Sequence, residues 1–245
     1  MTKKTTDLHT TESTHLTADE LFVLAAAYEE GRCVAQSYEK AAAYYRAAAD
    51  LGNEVAQYNL GVFYEEGLGL PQSYEEAVHW YTLAAEADFA PALCNLGRLY
   101  ENGEGVAASE ERAIALFRAA AERGHALAAY NLGLHYAEGL GVARSYEEAV
   151  HWYTAAAEAG IPEAQCNLGV CYEDGLGVAQ SYEAAAEWYA PAAEAGLTSA
   201  QYNLAELYEK GLGVDRSLDA AIYWYTAAAE EDEDARLRLA ELTAK

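Results

Sequence analysis

A period of 36 residues governs this chain. Tyr28, Tyr64, Tyr100, Tyr136, Tyr172 and Tyr208 recur at that spacing, as do Gly31, Gly67, Gly103, Gly139, Gly175 and Gly211. Ser37, Ser73, Ser109, Ser145, Ser181 and Ser217 follow the same rule, and the segment SYEEAVHWYT stands unchanged at 73–82 and 145–154. A self-similar chain of this kind gives each copy the same local structure, and each copy buries its apolar face only against its neighbours. The 245 residues divide into a flexible polar leader (1–18), six units (20–55, 56–91, 92–127, 128–163, 164–199 and 200–234) and a cap (235–245). Residues 19–245 are therefore expected to form a single repeat domain.

Each unit reads as helix, loop, helix. The 54 alanines and 31 glutamates favour helix, and strand-favouring residues other than tyrosine are scarce. Helix A of the second unit is predicted over Val55–Glu66, with Ala56, Leu60 and Tyr64 one turn apart on its inner face. Gly61 lets the partner helix approach closely, and Gly67 sits where a left-handed residue ends a helix. After the loop, Ser73 caps helix B and Glu76 is predicted to complete a capping box; Ser145 and Glu148 repeat it, and Thr17 and Glu20 form one at the start. Helix B carries Ala77, Trp80, Tyr81 and Ala84, so large rings fill gaps beside small residues. The ends depart from the pattern. Val23 stands for asparagine and Cys33 for glycine in the first unit, while ARLRLAELTAK aligns with AQYNLAELYEK, so that Arg238 replaces Asn203 and Thr243 replaces Tyr208.

The charge excludes some functions. Forty acidic residues against 15 basic ones give a net charge of −25, which repels phosphate backbones and anionic membrane surfaces. Lys3 and Lys4 precede no apolar stretch, and no uninterrupted apolar run reaches the ~18–20 residues a membrane span needs. A cytoplasmic monomer is expected. Cys166 and Cys171 lie on different faces of one helix, and Cys94 lies two repeats from Cys166, so reduced, structural thiols are expected. Catalysis is not. Ser37 and Lys40 match S-x-x-K, but serine recurs at that position in all six units, where capping explains it. His79 and His151 are two repeats apart, too far to share a metal, and the Gly-x-Gly loops neither follow a strand nor precede a lysine. No cofactor and no metal are expected.

The pattern A-x-x-N-L-G-x-x-Y-x-x-G-x-G-V-x-x-S-x-x-x-A-x-x-W-Y-x-x-A-A-x-x-G resembles the Sel-one-like repeat family, tetratricopeptide-type helical repeats with a longer inter-helix loop. The resemblance extends over roughly residues 20–235. It implies an all-α, right-handed superhelical solenoid, with helices A lining the concave face, helices B outside, and a C-terminal capping helix. It also implies an adaptor or scaffold. Some secreted members pair their helices through disulfides and bind or hydrolyse β-lactams, but this chain lacks regularly paired cysteines.

If helices A line the groove, Asn59, Asn95, Asn131, Asn167 and Asn203 form a ladder of amides suited to the backbone of an extended peptide. The alternative is that each asparagine bonds a neighbouring helix or loop and stabilises the stack. Beside the ladder, Tyr58, Tyr130 and Tyr202 alternate with Cys94 and Cys166, and Glu66, Glu138 and Asp174 favour a ligand with some positive charge. Arg98, between Asn95 and Asn102, could anchor an acidic group or chain terminus with Asn95 and Asn131, or pair with a nearby glutamate. The expected function is non-enzymatic binding of a protein or extended peptide. The rivals are an acidic inhibitor or immunity protein against a basic toxin or nuclease, and a β-lactam hydrolase.

Overall fold

The computed structural model describes residues 16–244, among which every regular element is an α-helix. Helices A are α1 (Ala18–Glu30), α3 (Glu54–Glu66), α5 (Ala90–Asn102), α7 (Ala126–Glu138), α9 (Pro162–Asp174) and α11 (Thr198–Lys210). Helices B are α2 (Tyr38–Asp50), α4 (Tyr74–Glu86), α6 (Glu110–Ala121), α8 (Tyr146–Glu158), α10 (Tyr182–Glu194) and α12 (Leu218–Ala228), and α13 (Glu233–Thr243) closes the array. The chain forms two compact units, one through Ala84 and one from Ala85. Within each unit, successive helices pack in series, the arrangement of an all-α solenoid. The leader expected over 1–18, with its reading as neither signal nor anchor, lies outside the described residues except for Leu16, Thr17 and Ala18. No helix among the described residues is long and apolar enough to cross a membrane.

Local chemistry sets the helix ends. Helices A stop on glycines in the left-handed region, such as Gly67 at φ 71° and Gly175 at φ 70°. The loop is then clasped by one backbone bond in every repeat: the serine N–H donates to the carbonyl of the tyrosine nine residues earlier, from Ser37 to Tyr28 through Ser217 to Tyr208. That bond corrects one expectation. Ser73 and Ser145 do cap helices B, accepting from the N–H groups of Glu76 and Glu148 at 3.2 Å, but their own N–H groups are held by Tyr64 and Tyr136. The reciprocal half of the capping box therefore has no free donor. The serine hydroxyls turn instead to Glu75 and Glu147, at 3.1 Å. The box predicted for Thr17 and Glu20 is complete.

Two glycine positions per repeat control packing, and they differ in kind. A Cβ on Gly61 would come within 2.6 Å of the Tyr81 ring, and one on Gly169 within 2.5 Å of Tyr189. A ring can shift, and the end repeats already carry Ala25 and Ala205 at this position, both buried. The second loop glycine is stricter. Gly177 sits at φ 71°, and a Cβ there would overlap the backbone of Tyr146 in the preceding helix B; Gly69 and Gly213 meet Tyr38 and Tyr182 alike. In the first repeat no helix B precedes the loop among the described residues, and Cys33 takes the same left-handed conformation, φ 61°, with its side chain exposed.

Gly177→Ala is expected to destabilise by about 2–4 kcal/mol, from left-handed strain plus backbone overlap. Gly169→Ala should cost less than half of that, and Cys33→Ala should stay within about 0.5 kcal/mol of the wild type. Urea unfolding of the three variants checks the order.

Candidate functional site

The helix-A face is built from the tyrosine that wedges each pair together. Tyr45, Tyr189 and Tyr225 are buried on helices B, and their rings reach past the glycine or alanine of helix A. Each hydroxyl then meets a carboxylate on the helix-A face. Tyr189 donates to Glu173 at 2.7 Å, Tyr81 to Glu65 at 2.8 Å and Tyr225 to Glu209 at 3.1 Å, and Tyr45 donates to Glu29. Burial, then the glutamate bond, raises Tyr45, Tyr189 and Tyr225 well above the ordinary phenol range, so these hydroxyls remain donors at neutral pH.

The asparagine ladder adjoins these hydroxyls. The amides of Asn59, Asn167 and Asn203 lie against the hydroxyls of Tyr45, Tyr153 and Tyr189 and act to lower their pKa, as donors to the phenol oxygen would. The ends obey the same logic. Val23, at the ladder position of the first repeat, is 64% exposed. Arg238, at the ladder position of the cap, pairs with Glu209 beside Tyr225 and lowers the Glu209 pKa.

Two central repeats break the pattern. In the third, Phe117 replaces the tyrosine, and Glu101 turns to His135, whose Nε2 lies 3.3 Å away. His135 is buried, and its Nδ1 lies 3.1 Å from the Leu140 carbonyl. In the fourth repeat Tyr153 is present but Ala137 stands where the other five units have glutamate. An open cleft of about 390 Å³ lies there, lined by Tyr130, Leu134, Ala137, Glu138, Tyr146, Tyr153, Asn167, Val170, Cys171 and Leu176. A second, of about 240 Å³, is lined by Glu101, Asn131, Leu134, His135, Glu138 and Leu140.

Of the residues singled out by sequence, Tyr130, Glu138 and Asn167 thus converge on the larger cleft, and Asn131 and Glu138 on the smaller. Arg98 pairs with Glu104 at 3.3 Å, and Asn102 donates to the same carboxylate at 3.3 Å. Tyr58 and Tyr202 pack on Tyr81 and Tyr225, with ring centroids 5.7 and 5.5 Å apart. Glu66 and Asp174 are exposed helix ends, and Lys210 beyond them pairs with Glu206 at 2.8 Å. Sequence reading missed Tyr153, Ala137, Glu101 and His135. The available signal was a mismatch of phase: Ala137 breaks a row of five glutamates and Phe117 a row of five tyrosines.

Other candidates have local roles. Ser37 caps α2, accepting from the Lys40 N–H at 3.3 Å, while the Lys40 ammonium sits 5.0 Å from the Tyr28 ring centroid. His79 and His151 are exposed on helices B against Trp80 and Trp152. All four cysteines are free; burial pushes Cys94 and Cys171 up to about 11, which keeps them thiols at neutral pH.

The Sel1 repeat profile matches residues 21–53, 55–89, 90–125, 126–161, 162–197 and 198–233. Among solved structures, a protective antigen present in uropathogenic Escherichia coli strains and displaying an SLR fold is 34% identical, with a TM-score of 0.89; the match covers 92% of this chain but 48% of that one. The chain thus spans about half of that relative's length. A Sel1 repeat protein from Oxalobacter formigenes is also 34% identical, with a TM-score of 0.78 and 86% of each chain covered. An immunity protein from Pseudomonas aeruginosa shares the fold at 20% identity, with a TM-score of 0.51 over 89% of this chain and 83% of its own. No curated protein matched the sequence.

The tyrosine network fixes a pH response. Free tyrosine ionises near pH 10, and in the folded chain Tyr45, Tyr189 and Tyr225 hold their protons to higher pH. Above about pH 10 the unfolded chain therefore binds fewer protons than the folded one, and stability falls as pH rises. Tyr189→Phe should lose about 1–3 kcal/mol at pH 7 by leaving Glu173 without its donor. It should also show a shallower loss of stability between about pH 10 and pH 11.5. Urea midpoints across that range test both.

Proposed function

This chain belongs to the Sel1 repeat family, and on that premise we propose that it is a non-enzymatic scaffold whose helix-A surface binds a protein or an extended peptide. The observation that carries this reading is the convergence of Tyr130, Glu138 and Asn167, from successive helices A, on one open cleft. Such a cleft combines apolar walls with a few directed polar groups, the usual make-up of a recognition site. Along the ladder, Asn95, Asn131, Asn167 and Asn203 would hold peptide backbone, and the exposed Glu138 and Asp174 favour a partner with basic residues. Asn59, Tyr58 and Glu66 would serve the same role in the first compact unit. Four free thiols fit a cytoplasmic location.

A second reading rests on the charge of −25. An acidic inhibitor of a basic protein would associate through long-range attraction that salt screens. The fold shared with an immunity protein is compatible with it.

The two separate in one experiment. Peptides selected from a random display library are measured by calorimetry against the wild type, Asn131→Ala/Asn203→Ala, and a helix-B control, His151→Ala/Glu187→Ala. The groove reading expects the asparagine pair to weaken binding by about tenfold or more, roughly 1.4 kcal/mol, and the control to leave it unchanged. Binding indifferent to the asparagines and abolished by raising salt from 0.05 to 0.5 M, on the order of a tenfold change in screening ions, would favour the inhibitor.

A further inference from the structure

The fourth repeat carries the tyrosine of the helix-pair interface without the carboxylate that tyrosine normally serves. Tyr153 is 3% exposed and belongs to the wall of the 390 Å³ cleft. The Asn167 amide lies against its oxygen, as Asn203 lies against Tyr189 and Asn59 against Tyr45. In those repeats the series asparagine, tyrosine, glutamate ends on Glu173 or Glu29. In the fourth, Ala137 ends it at the phenol, and among the described residues no carboxylate accepts from Tyr153. Burial also favours the protonated phenol, so the group facing the cleft is a hydrogen-bond donor.

We propose that this cleft is a carboxylate-binding pocket, in which a carboxylate of a bound peptide occupies the place held by glutamate in the other repeats. The ligand's oxygen accepts from the Tyr153 hydroxyl, and the Asn167 amide, between the Tyr153 and Tyr130 hydroxyls, lines the same cleft. Leu134, Val170 and Leu176 meet the aliphatic carbons behind the carboxylate. The nearby charge of Glu138 does not forbid it. Glu29, Glu65 and Glu173 are each followed by an acidic residue, Glu30, Glu66 and Asp174, so a carboxylate is accommodated in this setting three times elsewhere in the chain. The proposal rests on the helix-A surface being the ligand face.

The test uses the full chain, ¹⁵N-labelled, with 3-methylbutyrate as probe and its amide as control, read on the side-chain amide of Asn167. Saturable shifts are expected with the acid, and at least about tenfold weaker binding with the amide. Ala137→Glu restores the sister-repeat glutamate and should abolish the concentration-dependent shift while leaving the thermal midpoint equal or higher. Tyr153→Phe should weaken it similarly. Glu173→Ala should create a second response, at Asn203. Two blocked tetrapeptides, one with a glutamate side chain and one with a free C-terminus, then distinguish the two sources of the carboxylate. Equal binding of acid and amide, an undiminished shift in Ala137→Glu, or no saturable shift in the wild type overturns the pocket. If the pocket fails while Asn131→Ala/Asn203→Ala still weakens library peptides, the groove reading stands without it.

Discussion

One ring per repeat holds this chain together. The tyrosine of helix B lies on a glycine or alanine of helix A, so the two backbones approach closely and the phenol reaches through to the opposite face. That geometry carries an obligation. A hydroxyl delivered to a nearly buried position needs an acceptor, and a buried donor left unmet costs about 1–3 kcal/mol. The glutamate supplies the acceptor in four repeats, and Asn59, Asn167 and Asn203 lie beside the oxygens of Tyr45, Tyr153 and Tyr189. Interior packing and the chemistry of the helix-A face are therefore a single problem, solved with three side chains that are distant in sequence and adjacent in space.

Much of this was legible in the chain. The period placed helix A of the second unit to within a residue: α3 begins at Glu54 rather than Val55 because Asn53 caps it, accepting from the Ala56 N–H at 2.8 Å. The buried set Ala77, Trp80, Tyr81 and Ala84 followed from helical spacing. The departures at Val23, Cys33 and Arg238 were visible as departures, and Arg238 takes a partner of its own, Glu209. What spacing could not reveal was partnership. Ser73 and Glu76 satisfy the capping-box pattern, but the carbonyl of Tyr64 claims the backbone donor first. Ala137 breaks a row of five glutamates, but only the cleft it shares with Tyr153, on a different helix, shows that one lacks what the other needs.

The charge, too, takes on a local meaning. Of the 40 acidic residues, 14 lie within helices A, and many of these have a local partner. Some anchor tyrosines, some hold the capping serines, and Glu104 and Glu209 neutralise Arg98 and Arg238. Further charge lies on exposed helix B positions such as Glu187, where it keeps a long surface hydrated and repels other copies. Selectivity on the ligand face then depends on individual repeats and not on the sum.

The two repeats with incomplete networks, carrying Phe117 and Ala137, are neighbours in the middle of the array. In a stack whose cohesion is a sum of nearest-neighbour couplings, an interior defect matters differently from a terminal one. Fraying at an end loses one coupling, whereas a weak interior junction allows the flanking segments to melt as separate cooperative blocks. Here one buried cluster runs through both repeats, from Leu93 and Phe117 to Tyr153 and Cys171, so apolar packing carries the coupling past the altered polar network. An interior change therefore divides a stack only where the packing across it is lost as well.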